Sequence, residues 1–244
     1  MLSKSQIQLI TSLKQKKFRS QHQLFVAEGV KTIKELLNSH CELHQLYTTT
    51  TEFDVADALE KQITLNELQK ISFLKTPNKA LALFKTPQAS PIDFEDLVVA
   101  LDNVRDPGNL GTIIRLCDWF GIKDLICNVG TVDCYNPKVI QGTMGSIGRV
   151  NVSYHNLAEL LKQRTETKLG AFMNASSVYE VRLPKTGILV LGNEANGITP
   201  EVADEISERI AIPQFGDRLE TESLNVANAT AILLSEFKRR SIEK

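Results

Sequence analysis

The sequence predicts an α/β protein: a mainly parallel sheet flanked by helices, preceded by a smaller α/β domain. Three observations predict it. The second half carries six short apolar runs, "DLVVALD", "KDLICNV", "RVNVSY", "KLGAFMN", "GILVLGNE" and "RIAIP", separated by helix-patterned segments. The runs are continuous rather than alternating, the pattern of strands buried on both faces of a parallel sheet. Between the halves lies "KTPQASPIDFED", whose prolines, Ser and Ala have the composition of a linker.

In chain order, residues 1–20 read as one basic helix with Lys14, Lys16, Lys17 and Arg19 at its end. "FVAEG" reads as a strand and "VKTIKELLNS" as an amphipathic helix. "HQLYTT", "ADALEK", "NELQKIS" and "KALALF" continue the alternation. The expected organisation is a domain over residues 1–88, a linker over 89–95 and a larger domain over 96–244. The closing "SLNVANATAILLSEFKRR" is helical, with Leu224, Ala227, Ala231 and Leu234 on one face.

A length of 244 residues suits one large domain or two smaller ones, each able to bury a core. The formal net charge of −1 gives no nucleic-acid signal from composition, so any basic surface must be local. The N-terminal stretch alternates polar and apolar residues at helical spacing, unlike a signal segment. No run approaches the roughly 18 apolar residues that span a bilayer. A cytoplasmic protein with no membrane partner is therefore expected. The four cysteines (Cys41, Cys117, Cys127, Cys134) form no CxxC pair and sit near no histidine cluster. They read as reduced, buried small hydrophobes, and no metal site is expected.

In a parallel sheet, ligands bind in loops at the carboxyl ends of the strands. Three such loops stand out. In "NVRDPGNLGTIIR", Pro107 and Gly108 make a turn, Asn109 is placed to cap the following helix, and Arg115 follows nearly two helical turns later. In "LVLGNEANGIT", Gly192 and Gly197 let backbone approach a ligand, and Glu194 lies between them. In "IPQFGDRLETESLNVANATAIL", a polar loop enters the last helix through Ser223 and Asn225, with Ser223 a candidate cap. "GTMGSIG", residues 142–148, lacks the spacing and the lysine of a phosphate loop and follows a helix. It reads as tight helix-to-strand packing.

Taken in this order, the three loops resemble the signature motifs of the SPOUT superfamily, in its SpoU or TrmH-type branch of RNA ribose 2′-O-methyltransferases. "LDNVRDPGNLGTIIRLCDWFGI" is similar to the first motif, "LVLGNEANGI" to the second and "IAIPQFGDRLETESLNVANATAI" to the third, over residues 97–238. "FVAEGVKTIKELL" is similar to the small α/β RNA-binding module that precedes the catalytic domain in many members. The resemblance implies a C-terminal trefoil knot, a feature ordinary topology avoids. It further implies S-adenosylmethionine held by knot backbone, and a homodimer whose active site draws on both chains. On that pattern, backbone at Gly192, Ile212 and Leu224 holds the cofactor, and Asn174, Asn193, Gly197 and Gln214 line the same pocket. Arg115 is the catalytic arginine, and Asn109, Glu194, Ser223 and Asn225 complete the polar set. The sequence departs from the family in a longer loop, "QFGDRLETE", before "SLNV".

The implied chemistry fits these residue types. A sulfonium methyl is already activated, so transfer to a ribose hydroxyl needs alignment and removal of one proton, and no metal. A guanidinium stays protonated near neutral pH. Arg115 is therefore expected to clamp an RNA phosphate and stabilise charge on the 2′-oxygen, with Glu194 orienting Asn109 or Arg115. Lys14, Lys16, Lys17, Arg19 and the C-terminal "FKRR" are expected to contact phosphates of structured RNA, ribosomal or transfer. A catalytically inactive RNA-binding protein on the same scaffold is the alternative, opposed by the presence of Arg115, Glu194, Ser223 and Asn225. A nucleotide-dependent oxidoreductase lacks its fingerprint loop.

Overall fold

In the computed structural model, residues 1–215 and 223–242 are described, and the side chains of the last two of these are left out of account. The longer loop noted above therefore lies largely outside the described residues. The chain forms two compact units. The first holds Met1–Gln88 with Asp133–Arg149, and the second holds Ala89–Val132 with the chain from Val150 onward. Asp133–Arg149, expected in the larger domain, thus packs with the first unit.

The first unit opens with α1 (Lys4–Ser12) and α2 (Lys16–His22), not one continuous helix. Ser3 and Gln6 close a capping box at the start of α1. The break follows from burial: Leu13 is fully buried, and the chain must turn there to bring α2 back. The unit continues through β1 (Leu24–Glu28), α3 (Val30–Leu37), β2 (Leu43–Thr48), β3 (Glu60–Gln62), α4 (Leu65–Ile71) and β4 (Ala80–Lys85). The segment read as "ADALEK" is a single 3-10 turn running into β3. The sheet order is β1-β4-β2-β3, antiparallel except for the β2–β3 pair. Ile10, Leu13, Val26, Leu68, Ile71 and Leu81 belong to its core.

The remaining elements are β5 (Leu97–Leu101), α5 (Pro107–Trp119), β6 (Asp124–Asn128), α6 (Pro137–Thr143), β7 (Asn151–His155), α7 (Leu157–Lys162), β8 (Lys168–Ser177), β9 (Gly187–Leu191), α8 (Pro200–Ala203), β10 (Glu208–Ala211) and α9 (Val226–Ile242). The six strands of the second unit pair in the order β10-β8-β9-β5-β6-β7, and each pairing is parallel. All six apolar runs are therefore strands. Central β5 and β9 are buried at every position, while edge strand β7 is only partly covered, as burial of both faces requires. One face of the core gathers Val98, Ala100, Ile126, Leu161, Ile188 and Val190.

Two consequences of packing correct the reading of the sequence. Arg19 is 5% exposed, and its guanidinium donates to Asp133 Oδ2 from both Nε (3.0 Å) and Nη2 (2.5 Å), and from Nη1 to the carbonyls of Leu13 (2.8 Å) and Lys14 (2.9 Å). It caps the end of α1 and staples the first unit internally, so it presents no donor to RNA. Lys14, Lys16 and Lys17 are exposed, as expected. The "GTMGSIG" stretch packs on α3 rather than on a strand. A Cβ at Gly145 would lie 2.4 Å from Glu35 Cβ, and one at Gly148 would lie 2.3 Å from Ser39 Oγ. The four cysteines are free and buried, and burial pushes the Cys117 thiol up to about 12, leaving it an inert packing group.

Candidate active site

Strands β5 and β9 are neighbours with Leu101 opposite Leu191, so the loops that follow them begin side by side. The Asp102 N–H donates to Leu191 O (2.8 Å) and extends the pairing one step beyond the sheet. This is the switch point of the sheet: β6 and β7 extend it on one side, β8 and β10 on the other.

After β5, the helix cap is Asp106, not Asn109. Asp106 Oδ1 accepts from the Asn109 N–H (2.8 Å), and Pro107 occupies the first helical position. Asn109 lies inside the first turn with its side chain released from capping. Its Nδ2 donates to Glu194 Oε1 (2.6 Å), and its Oδ1 accepts from Asn225 Nδ2 (2.9 Å). Asn225 in turn is the cap of α9, its Oδ1 accepting from the N–H of Ala227 (2.9 Å) and of Asn228 (3.3 Å). Ser223 has no part in that cap.

These bonds have one direction. Backbone N–H groups force Asn225 to present its oxygen to the helix and its NH2 to Asn109. The carboxylate of Glu194 accepts only, so Asn109 must turn its NH2 that way. Both amide orientations are thus fixed, and three loops far apart in sequence are held together.

The loop after β9 is tight. Asn193 and Gly197 exchange two backbone bonds of 2.9 Å, and Asn193 Oδ1 accepts from the N–H of Ala195 (2.9 Å) and Asn196 (3.3 Å). Gly197 has φ of +68°, and a Cβ on Gly192 would sit 2.1 Å from the Gly197 carbonyl carbon. Gly192 is required by that contact. Asn193 Nδ2 donates to Asn103 O (2.7 Å), tying this loop to the first.

A cavity of about 610 Å³ opens between this loop, the segment after β10 and the start of α9. Gly192, Asn193, Glu194, Gly197, Ile212, Ser223 and Leu224 line it. Ala171–Met173 line it too, because β8 leaves its pairing with β10 between Gly170 and Ser176. Asn174 is exposed and Gln214 is exposed, and neither lines the cavity. Arg115 stands on the exposed side of α5, outside the Glu194–Asn109–Asn225 chain and without a hydrogen-bond or ion-pair partner among the described residues. Six residues of helix rotate it about 120° away from Asn109.

Asp102 is the site residue that sequence reasoning missed. It is fully buried and accepts from Asn103 Nδ2 (2.9 Å), Asn128 Nδ2 (2.7 Å), the Thr199 N–H (2.7 Å) and Thr199 Oγ1 (2.7 Å). One carboxylate thereby anchors the loops after β5, β6 and β9.

The cavity fits a nucleoside-sized ligand: glycine backbone at Gly192 and Gly197, apolar walls at Ile212 and Leu233, and polar groups at one rim. Among the described residues, no group of three or more His, Cys, Asp or Glu side chains could hold a metal ion. No helix among them is long and apolar enough to cross a membrane.

The loops after β9 and β10 line this cavity, the first turn of α5 is hydrogen-bonded to Glu194 in its wall, and the wholly parallel sheet beneath them matches solved α/β structures of SPOUT type. The chain belongs to the SpoU rRNA Methylase family, whose model matches residues 96–235; residues 4–82 match the MRM3-like substrate binding domain. It is 29% identical over 232 residues to the 23S rRNA (guanosine(2553)-2'-O)-methyltransferase RlmP of Bacillus subtilis, covering 91% of this chain and 92% of that one. Among solved structures, a TrmH-family protein from Porphyromonas gingivalis is 40% identical, with a TM-score of 0.89 and coverage of 98% of this chain and 99% of that one. The AdoMet-bound rRNA methyltransferase from Sinorhizobium meliloti is 29% identical, with a TM-score of 0.86 and coverage of 98% and 96%.

Proposed function

We propose that the protein transfers a methyl group from S-adenosylmethionine to a ribose 2′-hydroxyl of ribosomal or transfer RNA. The observation that carries this reading is the directed chain from α9 through Asn225 and Asn109 to Glu194 at the rim of the cavity. The match to RlmP spans both units, which favours ribosomal RNA as the substrate class.

Backbone at Gly192, Ile212 and Leu224 would hold the cofactor, whose bound form supplies a methyl on a positively charged sulfur. Asn193 and Gly197 shape the same wall. Asn174 and Gln214, outside the cavity wall, are assigned no contact. Glu194 orients Asn109 rather than standing free, and Asn109, Ser223 and Asn225 set polar atoms where the ribose would enter. Arg115, exposed and unpartnered among the described residues, supplies forked donors for an RNA phosphate and for negative charge developing on the 2′-oxygen. Lys14, Lys16 and Lys17 add phosphate contacts from the first unit. The reading includes a C-terminal trefoil knot, a homodimer with each site drawing on both chains, no metal requirement, and a cytoplasmic location.

The test uses the purified full chain. Calorimetry should show S-adenosylmethionine binding, and labelled methyl should pass to ribosomal RNA. Arg115→Ala should lower transfer by about 10²–10³-fold with cofactor affinity unchanged. Absence of cofactor binding would favour an inactive RNA-binding protein, and full activity of the alanine variant would remove Arg115 from the chemistry. Reverse-transcription stops at low nucleotide concentration, with and without the protein, would locate the methylated ribose.

A further inference from the structure

A second cavity, of about 330 Å³, opens in the second unit at the opposite end of the sheet, where β5 begins at Leu97. The loop Arg182–Lys185 forms one wall, and Phe237, Lys238 and Arg240 of α9 form the other. The sequence pointed to "FKRR" as the basic surface here, and the structure redistributes that role. Arg240 donates to the carbonyls of Val178 (3.0 Å), Tyr179 (3.0 Å) and Val181, and to Glu236 Oε1 (2.7 Å). Arg239 makes a paired contact with the same carboxylate at 2.8 and 2.9 Å. Both arginines are engaged within the protein, Arg240 partly buried and Arg239 exposed.

Arg240 holds residues 178–181 against the helix, and other cations lie outward. Arg182 and Lys185 are exposed, with no hydrogen-bond or ion-pair partner among the described residues. Among the described residues no carboxylate lines the pocket; nearby Glu236 is paired with Arg239 and Arg240, and Asp96 with Lys123 at 2.7 Å, while Glu180 is the exposed carboxylate of the segment. The pocket is therefore strongly cationic, too small for a large ligand and of a size for one phosphate with its sugar.

We propose that this pocket is a second seat for the RNA backbone, in which Arg182 and Lys185 grip a phosphate with Lys238 at the rim. The proposal rests on the methyltransferase reading, which requires a bound RNA. It is also linked to the site physically. Helix α9 begins at the Asn225 cap and reaches Lys238 about 20 Å further on. The seat cannot touch the reacting nucleotide, but a structured RNA that fills the catalytic cavity can lie across it. Such contacts govern affinity and register and leave the chemical step alone.

The test compares the wild-type chain with Arg182→Ala/Lys185→Ala and with the charge reversal Arg182→Glu/Lys185→Glu, using ribosomal RNA at several salt concentrations. The alanine pair should weaken RNA binding about 10-fold and reduce the salt slope by about one. The reversed pair should weaken it further. KM for RNA should rise, while kcat at saturating RNA and S-adenosylmethionine affinity stay at wild-type values. Both side chains are exposed and lie outside the cofactor cavity, so an unchanged cofactor affinity reports that the variants are folded. An unchanged salt slope and KM in both variants, beside an active wild type, would overturn the seat and leave the methyltransferase reading intact. A wild-type chain that neither binds RNA nor transfers methyl would overturn both.

Discussion

Asp102 directly follows β5, and its four donors come from the loop after β5, the end of β6 and the loop before α8, so its carboxylate fixes where the chain leaves the sheet at each strand. An unsatisfied buried donor costs about 1–3 kcal/mol. Asp102→Asn replaces one acceptor oxygen by an NH2 group that faces donors. We expect a loss of about 3 kcal/mol, read as a fall in Tm of roughly 6–12 °C, together with weaker cofactor binding. A Tm unmoved within about 2 °C would show that water replaces the lost acceptor. The sequence could not reveal this residue, since "LDN" is an ordinary strand end and the decisive partners lie 26 and 97 positions away. The shift of the cap from Asn109 to Asp106 was closer to legible. Both residue types cap helices, and Pro107 directly after Asp106 marks the first helical position. Arg19 misled for the opposite reason: a basic cluster gives no sign of which member folds inward.

The last helix shows how an element's two ends take different duties. At its start Asn225 both caps the helix and feeds the amide chain. Near its end Glu236 is buried, and hydrogen bonds from Arg239 and Arg240 hold its carboxyl at about 2, below its ordinary 4.5. A carboxylate more acidic in the folded than in the unfolded state adds stability fully present above about pH 4.5. That stability drains away as pH falls towards 2. Thermal unfolding between pH 5 and 2, both approximate limits, should therefore decline more steeply for wild type than for Glu236→Gln. Parallel curves would mean that the ion pair is as good in the unfolded chain. Strands were the most legible elements, because continuous apolar runs have few other uses in a chain of this composition. The split of the first helix was not, since its cause is the burial of Leu13 by residues remote in sequence.

At the scale of the whole molecule, the motifs pointed to the family, whereas the order of the strands in the sheet was not readable and the boundary between units only partly so. Asp133–Arg149 packs with the first unit because Gly145 and Gly148 admit α3 and Asp133 pairs with Arg19. None of those contacts is local. The proposed homodimer gives a further prediction. Gly192→Val pushes a side chain into the Gly197 backbone and should abolish cofactor binding, while Arg115→Ala should spare it. Each variant alone is expected to be inactive. If each site combines Arg115 of one chain with the cofactor pocket of the other, mixed dimers of the two variants regain one working site. Purified mixed dimers with no activity would place both residues in the same chain's site.

Among the described residues, Asn225 is positioned by the first turn of α9 and by Asn109. One amide therefore serves two structures at once, and a shift in the start of α9 is transmitted through Asn109 to Glu194. The helix that closes the fold is also the gauge that sets the polar edge of the cavity.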